Sequence, residues 1–264
     1  ASLAGLPDGP ATINVSAVDA AGNPVSSSAT LNVLVNQLPD ATLQPPFGDG
    51  ILNAVEAGSD QPLRGTTGVS GDGQTVSVMI DGNSYSGTVD SNGNWTVNLP
   101  TAVLQALAEG DSSVQVTVTD AAGNSSTIDG PFSVDREAPV LTIDTLAGDD
   151  RVNALESVEV ITVSGSSSAE EGQVVTLTLN GQTYSATVDA TGNWSVDLPA
   201  GALAGIINGS YILSATVSDA AGNPVTATRE IEVETAPLVP TLDTPFTDGY
   251  LNIDEAQTAQ TLSG

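Results

Sequence analysis

Val18-Asp19-Ala20-Ala21-Gly22-Asn23 returns as Thr119-Asp120-Ala121-Ala122-Gly123-Asn124 and again as Ser218-Asp219-Ala220-Ala221-Gly222-Asn223. The copies stand about 100 residues apart. Two further markers keep the same period. Gly93-Asn94-Trp95 recurs at Gly192-Asn193-Trp194, and a spaced Asp, Asn and Glu recur as Asp49, Asn53, Glu56, then Asp149, Asn153, Glu156, then Asp248, Asn252, Glu255. Three independent markers with one period define a tandem repeat. Superposing the copies gives one whole unit over 38–136 and a second over 137–235. Residues 1–37 match only the last third of a unit, and 236–264 only its first third. Both partial units are expected to be incomplete unless a neighbouring molecule supplies partners. Short joints carrying Pro39, Pro139, Pro237 and Pro240 imply limited freedom between units.

Inside the second whole unit the strands follow from short β-branched, alternating runs. Strands are expected at Val140–Asp144, Val158–Ser164, Val174–Leu179, Thr183–Val188, Trp194–Leu198, Tyr211–Val217 and Val225–Val233. Asn180-Gly181 is a strong two-residue hairpin signal, and Asp81-Gly82 takes its place in the first unit. The Ala/Leu content of Pro199–Gly209 suggests one helical turn. Seven short strands in about 100 residues read as a two-sheet sandwich, with Trp95 and Trp194 as packing residues.

Composition narrows the chemistry. The 264 residues contain no Cys, His or Lys and four Arg against 32 acidic side chains, a formal charge of -28. Without Cys and His, disulfides, thiolate chemistry, zinc sites and a Ser-His-Asp triad are excluded. Phosphate backbones and anionic membrane surfaces are poor partners, because both require basic residues. Neither a signal peptide nor an apolar stretch of about 18 residues appears, an absence that says little for a chain that reads as cut from something longer; no membrane insertion of these repeats is expected.

The pattern Ile143-Asp144-x-x-Ala147-Gly148-Asp149-Asp150-x-x-Asn153-Ala154-x-Glu156 resembles the bacterial Ig-like repeats of giant type I-secreted surface adhesins. So do Asn180-Gly181-Gln182-Thr183-Tyr184, Gly192-Asn193-Trp194-Ser195-Val196 and Asp219-Ala220-Ala221-Gly222-Asn223. The likeness covers essentially the whole chain. It implies an all-β architecture of tandem immunoglobulin-like, seven-stranded Greek-key β-sandwich domains. It also implies a secreted, cell-surface location, calcium (Ca2+) at the domain joints, and a structural extender role in cell adhesion, biofilm formation or virulence. The expected partners are neighbouring repeats of the same chain, with a host or surface receptor bound through another region and the chain itself monomeric.

In such a sandwich the loop between the last two strands lies at the end where the domain begins. That would bring Asp120 and Asp219 near a joint, with Asp135, Glu137 and Glu234 as linker acids and Asp144 and Asp243 just beyond. Calcium takes six to eight oxygens, and clustered carboxylates are costly without a cation. The Asp149-Asp150 pair, with Asp248 at the equivalent place later, is a candidate separate site or cap. Asp in Asp-Ala-Ala-Gly-Asn is also a good turn former, so a purely structural role stands beside the ligand role. Where the second unit has Asp144 and Asp150, the first has Gln44 and Gly50, so any site there is expected to be weaker or differently built.

Repeats that themselves bind a host-cell or glycan ligand are the alternative function, but no aromatic platform or unusual loop marks one unit for it. A two-carboxylate glycosidase lacks a cleft-forming insertion to hold a sugar. No catalytic residue is assigned.

Overall fold

Val114, Val116 and Val118 are buried while the residues between them face outward, and Val175, Leu177 and Leu179 repeat the pattern about 60 residues on. This period of two fixes one core-facing side per strand. In a computed structural model, residues 5–236, 239–246 and 248–264 are described. Pro237 lies outside them. The chain divides into two compact units: Ala1–Ala138 with the loop Asp219–Asn223, and Pro139–Ser218 with Pro224–Gly264.

The first unit begins with a hairpin of β1 (Gly9–Val18) and β2 (Pro24–Val33), a sheet of its own. Its apolar side chains Ile13, Val15, Val18 and Val25 are exposed. The sandwich that follows is built from β3 (Ile51–Leu52), β4 (Gln61–Thr66), β5 (Thr75–Ile80), β6 (Asn83–Ser86), β7 (Thr88–Val89), β8 (Asn94–Leu99), helix α1 (Thr101–Ala106), β9 (Gly110–Thr119) and β10 (Ser125–Val134). One sheet runs β3-β10-β9-β5-β6, the other β4-β8-β7. Between β6 and β7 the chain changes sheets at Gly87, where a side-chain carbon would meet the Thr96 carbonyl at 1.8 Å. Trp95, Leu52, Leu63, Leu99 and Leu104 fill the core.

The second unit has β11 (Arg151–Asn153), β12 (Ile161–Ser166), β13 (Val174–Leu179), β14 (Gln182–Thr187), β15 (Asn193–Leu198), β16 (Gly209–Ser218) and β17 (Pro224–Glu234). Its sheets run β11-β17-β16-β13-β14 and β12-β15. Strand β11 lies parallel to β17 and the other pairs are antiparallel, which gives an immunoglobulin-like sandwich. Asn180 and Gly181 both take positive φ, as do Asp81 and Gly82, the backbone a two-residue hairpin turn demands.

Three expectations change. Residues 140–144 form a single bridge, Leu141 to Ser167, rather than a strand. The run starting at Val158 begins with a 3-10 turn, Glu156–Val158, and its strand starts only at Ile161. Pro199–Gly209 forms successive hydrogen-bonded turns without a helix, broken by Gly201 and Gly205 at positive φ, whereas the first unit has α1 there. The short β11, missed in the sequence, is stabilised by its edge pairing with β17.

Candidate metal centre

Asp120 and Asp219 each sit on a hairpin loop, between β9 and β10 and between β16 and β17, and both are buried. Their carboxylates close their own turns. Asp120 Oδ1 accepts the Ala122 and Asn124 N–H groups at 2.9 Å, and Oδ2 accepts the Asn124 side-chain amide at 2.8 Å. Burial pushes the Asp120 carboxyl up, but the Asn124, Ala122 and Gly123 hydrogen bonds outweigh it and hold it below its ordinary value of 3.8. Asp219 accepts the Asn223 N–H at 2.8 Å and the Asn223 side-chain amide at 3.0 Å. The exposed loop Asp19–Asn23 repeats this geometry with the same contacts at 2.8 Å.

The other acids are dispersed in role. Asp135 is half-buried, accepts the Glu137 N–H weakly at 3.4 Å, and its backbone pairs with Leu52; Glu137 is exposed. Asp144 and Asp243 are exposed and take matching hydroxyl bonds, from Ser164 at 2.7 Å and Ser263 at 2.8 Å. Asp149 and Asp248 cap turns by accepting the N–H two residues on, from Arg151 and Tyr250. Asp150, at φ +63°, takes the Leu146 N–H and a two-point ion pair from Arg229. Glu234 pairs with Arg151 at 3.1 Å.

Among the described residues, no three acidic side chains gather into a group able to hold a metal ion. In this conformation the donors do not fit calcium: the Asp120 and Asp219 oxygens satisfy their own loops, and Asp150 and Glu234 face guanidinium groups. The Asp149-Asp150 pair divides between a turn cap and an ion pair.

What the first unit does assemble is a contact built on amides. Asn223, fully buried, is a bridge: its Oδ1 accepts the Ala54 N–H at 2.8 Å, and its Nδ2 donates to the Asp135 carbonyl at 3.0 Å as well as to Asp219. Asn53 Nδ2 donates to the Ala221 carbonyl at 3.0 Å. The primary amide thus stands like a peptide unit between the ends of β3 and β10. At the other loop, Asn124 Nδ2 donates to the Leu34 carbonyl at 2.9 Å. In the sequence Asn124, Asn223 and Asn53 stand only as markers of the repeat, and their recurrence at one place is the signal that points to them.

A family model described as "bacterial Ig-like domain" matches residues 58–136 and 140–235. The chain belongs to the bacterial Ig-like domain family. These bacterial Ig-like repeats are similar to a solved adhesin, described as Ca2+-stabilized, that helps an Antarctic bacterium reach out and bind ice. The identity is 34% over 94% of this chain and 63% of that one, with a TM-score of 0.50, so the chain spans less than two thirds of that relative. A 1.5-MDa bacterial ice-binding adhesin, studied for host cell surface retention, matches at 33% identity over 83% of this chain and 73% of that one, TM-score 0.48. An Ig-like domain of the M. primoryensis ice-binding adhesin is 39% identical over 36% of this chain and 96% of that one, TM-score 0.29. Among curated proteins, none matches. The amide contacts of Asn124 and Asn223 belong to the loop that recurs in both whole bacterial Ig-like repeats.

Proposed function

We propose that the chain is a run of extender repeats in a large bacterial cell-surface adhesin, a secreted stalk that carries a binding region placed elsewhere in the parent protein. The observation that carries this reading is repetition. The two sandwiches share fold and loop sequences, while the match to an adhesin that helps its bacterium reach out runs along 94% of the chain. A unit that recurs along a chain supplies length, and fold alone does not assign a ligand. The units catalyse nothing in this reading. Export by type I secretion and a part in biofilm formation or virulence follow from the family likeness.

Calcium rigidification is the finer part of the proposal. It is supported by the charge of -28 and by a relative described as Ca2+-stabilized. The Asp219 carboxylate would have to exchange loop donors for the cation. The test is thermal melting and small-angle scattering of the full chain with and without millimolar calcium. A raised melting point and a stiffer particle are expected with calcium; identical curves would remove calcium from the reading. Binding of the full chain to a glycan or host-cell surface would instead favour units that are themselves adhesive.

A further inference from the structure

Strand β12 has one edge that its own unit leaves partly open. On one side it pairs with β15 from Ile161 to Ser166. On the other, the Ser166 and Ser164 carbonyls accept the Thr142 and Asp144 N–H groups, each at 2.8 Å. Backbone groups in a ladder alternate sides, so Thr162 faces this second edge too. Leu146 stands opposite Thr162 in that register, but its N–H goes to Asp150 Oδ1 and its carbonyl to the Asp149 and Asp150 N–H groups. Among the described residues the Thr162 N–H and carbonyl therefore lack backbone partners, and so do those of Val160. Beside them runs a groove lined by Leu155, Val158 and Val160, each more than half exposed, together with Glu156 and Glu159. No basic residue lines it.

The first unit closes the same place. Pro46 and Pro62 stand where the second unit has Leu146 and Thr162, so neither residue has an N–H to offer, and proline is a common guard of sheet edges. Gly58, Asp60 and Gln61 replace Val158, Val160 and Ile161, which removes the apolar surface, and Asp60 is engaged by the Thr101 N–H and hydroxyl. The opening at β12 does not follow from what lies at Asn153 and Ala154. In the first unit the loop Asp219–Asn223 occupies the equivalent Asn53 and Ala54, yet Val55, Gly58, Asp60 and Pro62 stay exposed.

We propose that the β12 edge of the second unit takes an extended peptide of alternating apolar and basic residues as an added strand. The Thr162 N–H donates to a peptide carbonyl and the Thr162 carbonyl accepts a peptide N–H, main-chain pairing that does not depend on the peptide's side chains. Preference comes from the groove. Apolar side chains of the peptide cover Leu155, Val158 and Val160, and lysine or arginine meets Glu156 and Glu159. The chain's charge of -28 favours a basic peptide and opposes a second copy of the chain on this edge. The inference does not rest on the adhesin reading.

The test is nuclear magnetic resonance of the 15N-labelled full chain titrated with a short peptide of alternating lysine and valine. The expected result is a shift of the Thr162 and Val160 amides and exchange slowed several-fold, with the Leu63 amide of the first unit unmoved and the binding weakened by added salt. Thr162→Pro, which copies Pro62, should leave the Val160 amide indifferent to the peptide. The same peptide N-methylated throughout keeps its side chains but has no N–H to donate, so it should not bind the wild-type chain; this arm decides even where the proline disturbs the strand. Amides indifferent to the lysine–valine peptide overturn the proposal, and so does an equal response to the N-methylated peptide or to a glutamate–valine one. A Thr162 shift that follows the chain's own concentration without peptide would give the edge to a second copy and overturn it as well. Each failure leaves the stalk reading intact, since that is judged by calcium and scattering.

Discussion

Arg229 holds Asp150 at two points, Nε to Oδ1 at 2.6 Å and a terminal nitrogen to Oδ2 at 2.7 Å, with both side chains only partly exposed. The same guanidinium also donates to the Ile143 carbonyl and the Thr145 hydroxyl. In the first unit both positions are glycine, Gly50 and Gly130, and a side-chain carbon on Gly130 would fall 2.1 Å from Leu43 Cδ2. One unit ties its opening loop to the sheet by an ion pair; the other fills the same space with leucine. Arg229→Ala should therefore lower the melting temperature more than Arg151→Ala, whose pair with Glu234 is over half exposed. Equal losses in a melting comparison would show that the two-point geometry adds nothing.

Acid should act through the same pair. Asp150 is held below its ordinary value of 3.8, first by the Arg229 hydrogen bond, with burial opposing and the Leu146 N–H and the Arg229 charge assisting. A depressed carboxyl contributes stability that is present above 3.8 and is lost as pH falls through the lower folded value. Stability curves of wild-type and Asp150→Asn chain should thus differ at neutral pH and converge in acid. Curves that stay parallel down to pH 2 would assign the acid sensitivity to other groups.

Asn223→Ala should cost about 1–3 kcal/mol, the penalty for buried N–H and C=O groups left without partners at Ala54 and Asp135. Hydrogen exchange at Ala54 is the local readout and should quicken along with the loss measured by denaturant. Asn223→Asp keeps the shape but turns an acceptor toward the Asp135 carbonyl and the Asp219 carboxylate, so it should be at least as damaging.

Gly165→Ala should destabilise the second unit by about 1–3 kcal/mol through overpacking. The added carbon would lie 2.0 Å from the Thr142 carbonyl and 2.8 Å from the Trp194 ring. Gly65 stands in the same relation to Thr42 and Trp95. A variant that melts with the wild type would show that the strand can move aside.

Local chemistry settled most of the sandwich. Alternating Val and Leu in β9 and β13, the Asn180-Gly181 and Asp81-Gly82 turns, and the 100-residue recurrence of Asp-Ala-Ala-Gly-Asn are read along the chain, because side-chain period and turn backbone depend on neighbours in sequence. What residues 140–144 and β11 would do was not legible, since an edge strand is decided by the partner it meets across the sheet, β17 for β11 and only Ser167 for Leu141. The sequence also showed where the acids lie but not what each one faces. Asp150 reads as a companion of Asp149 until Arg229, far along the chain, takes both of its oxygens. Asn223 reads as the end of a tight turn until its amide is found between Ala54 and Asp135. Hydrogen bonds and ion pairs form between groups within about 3 Å in space, and for these residues only the tertiary fold sets that distance.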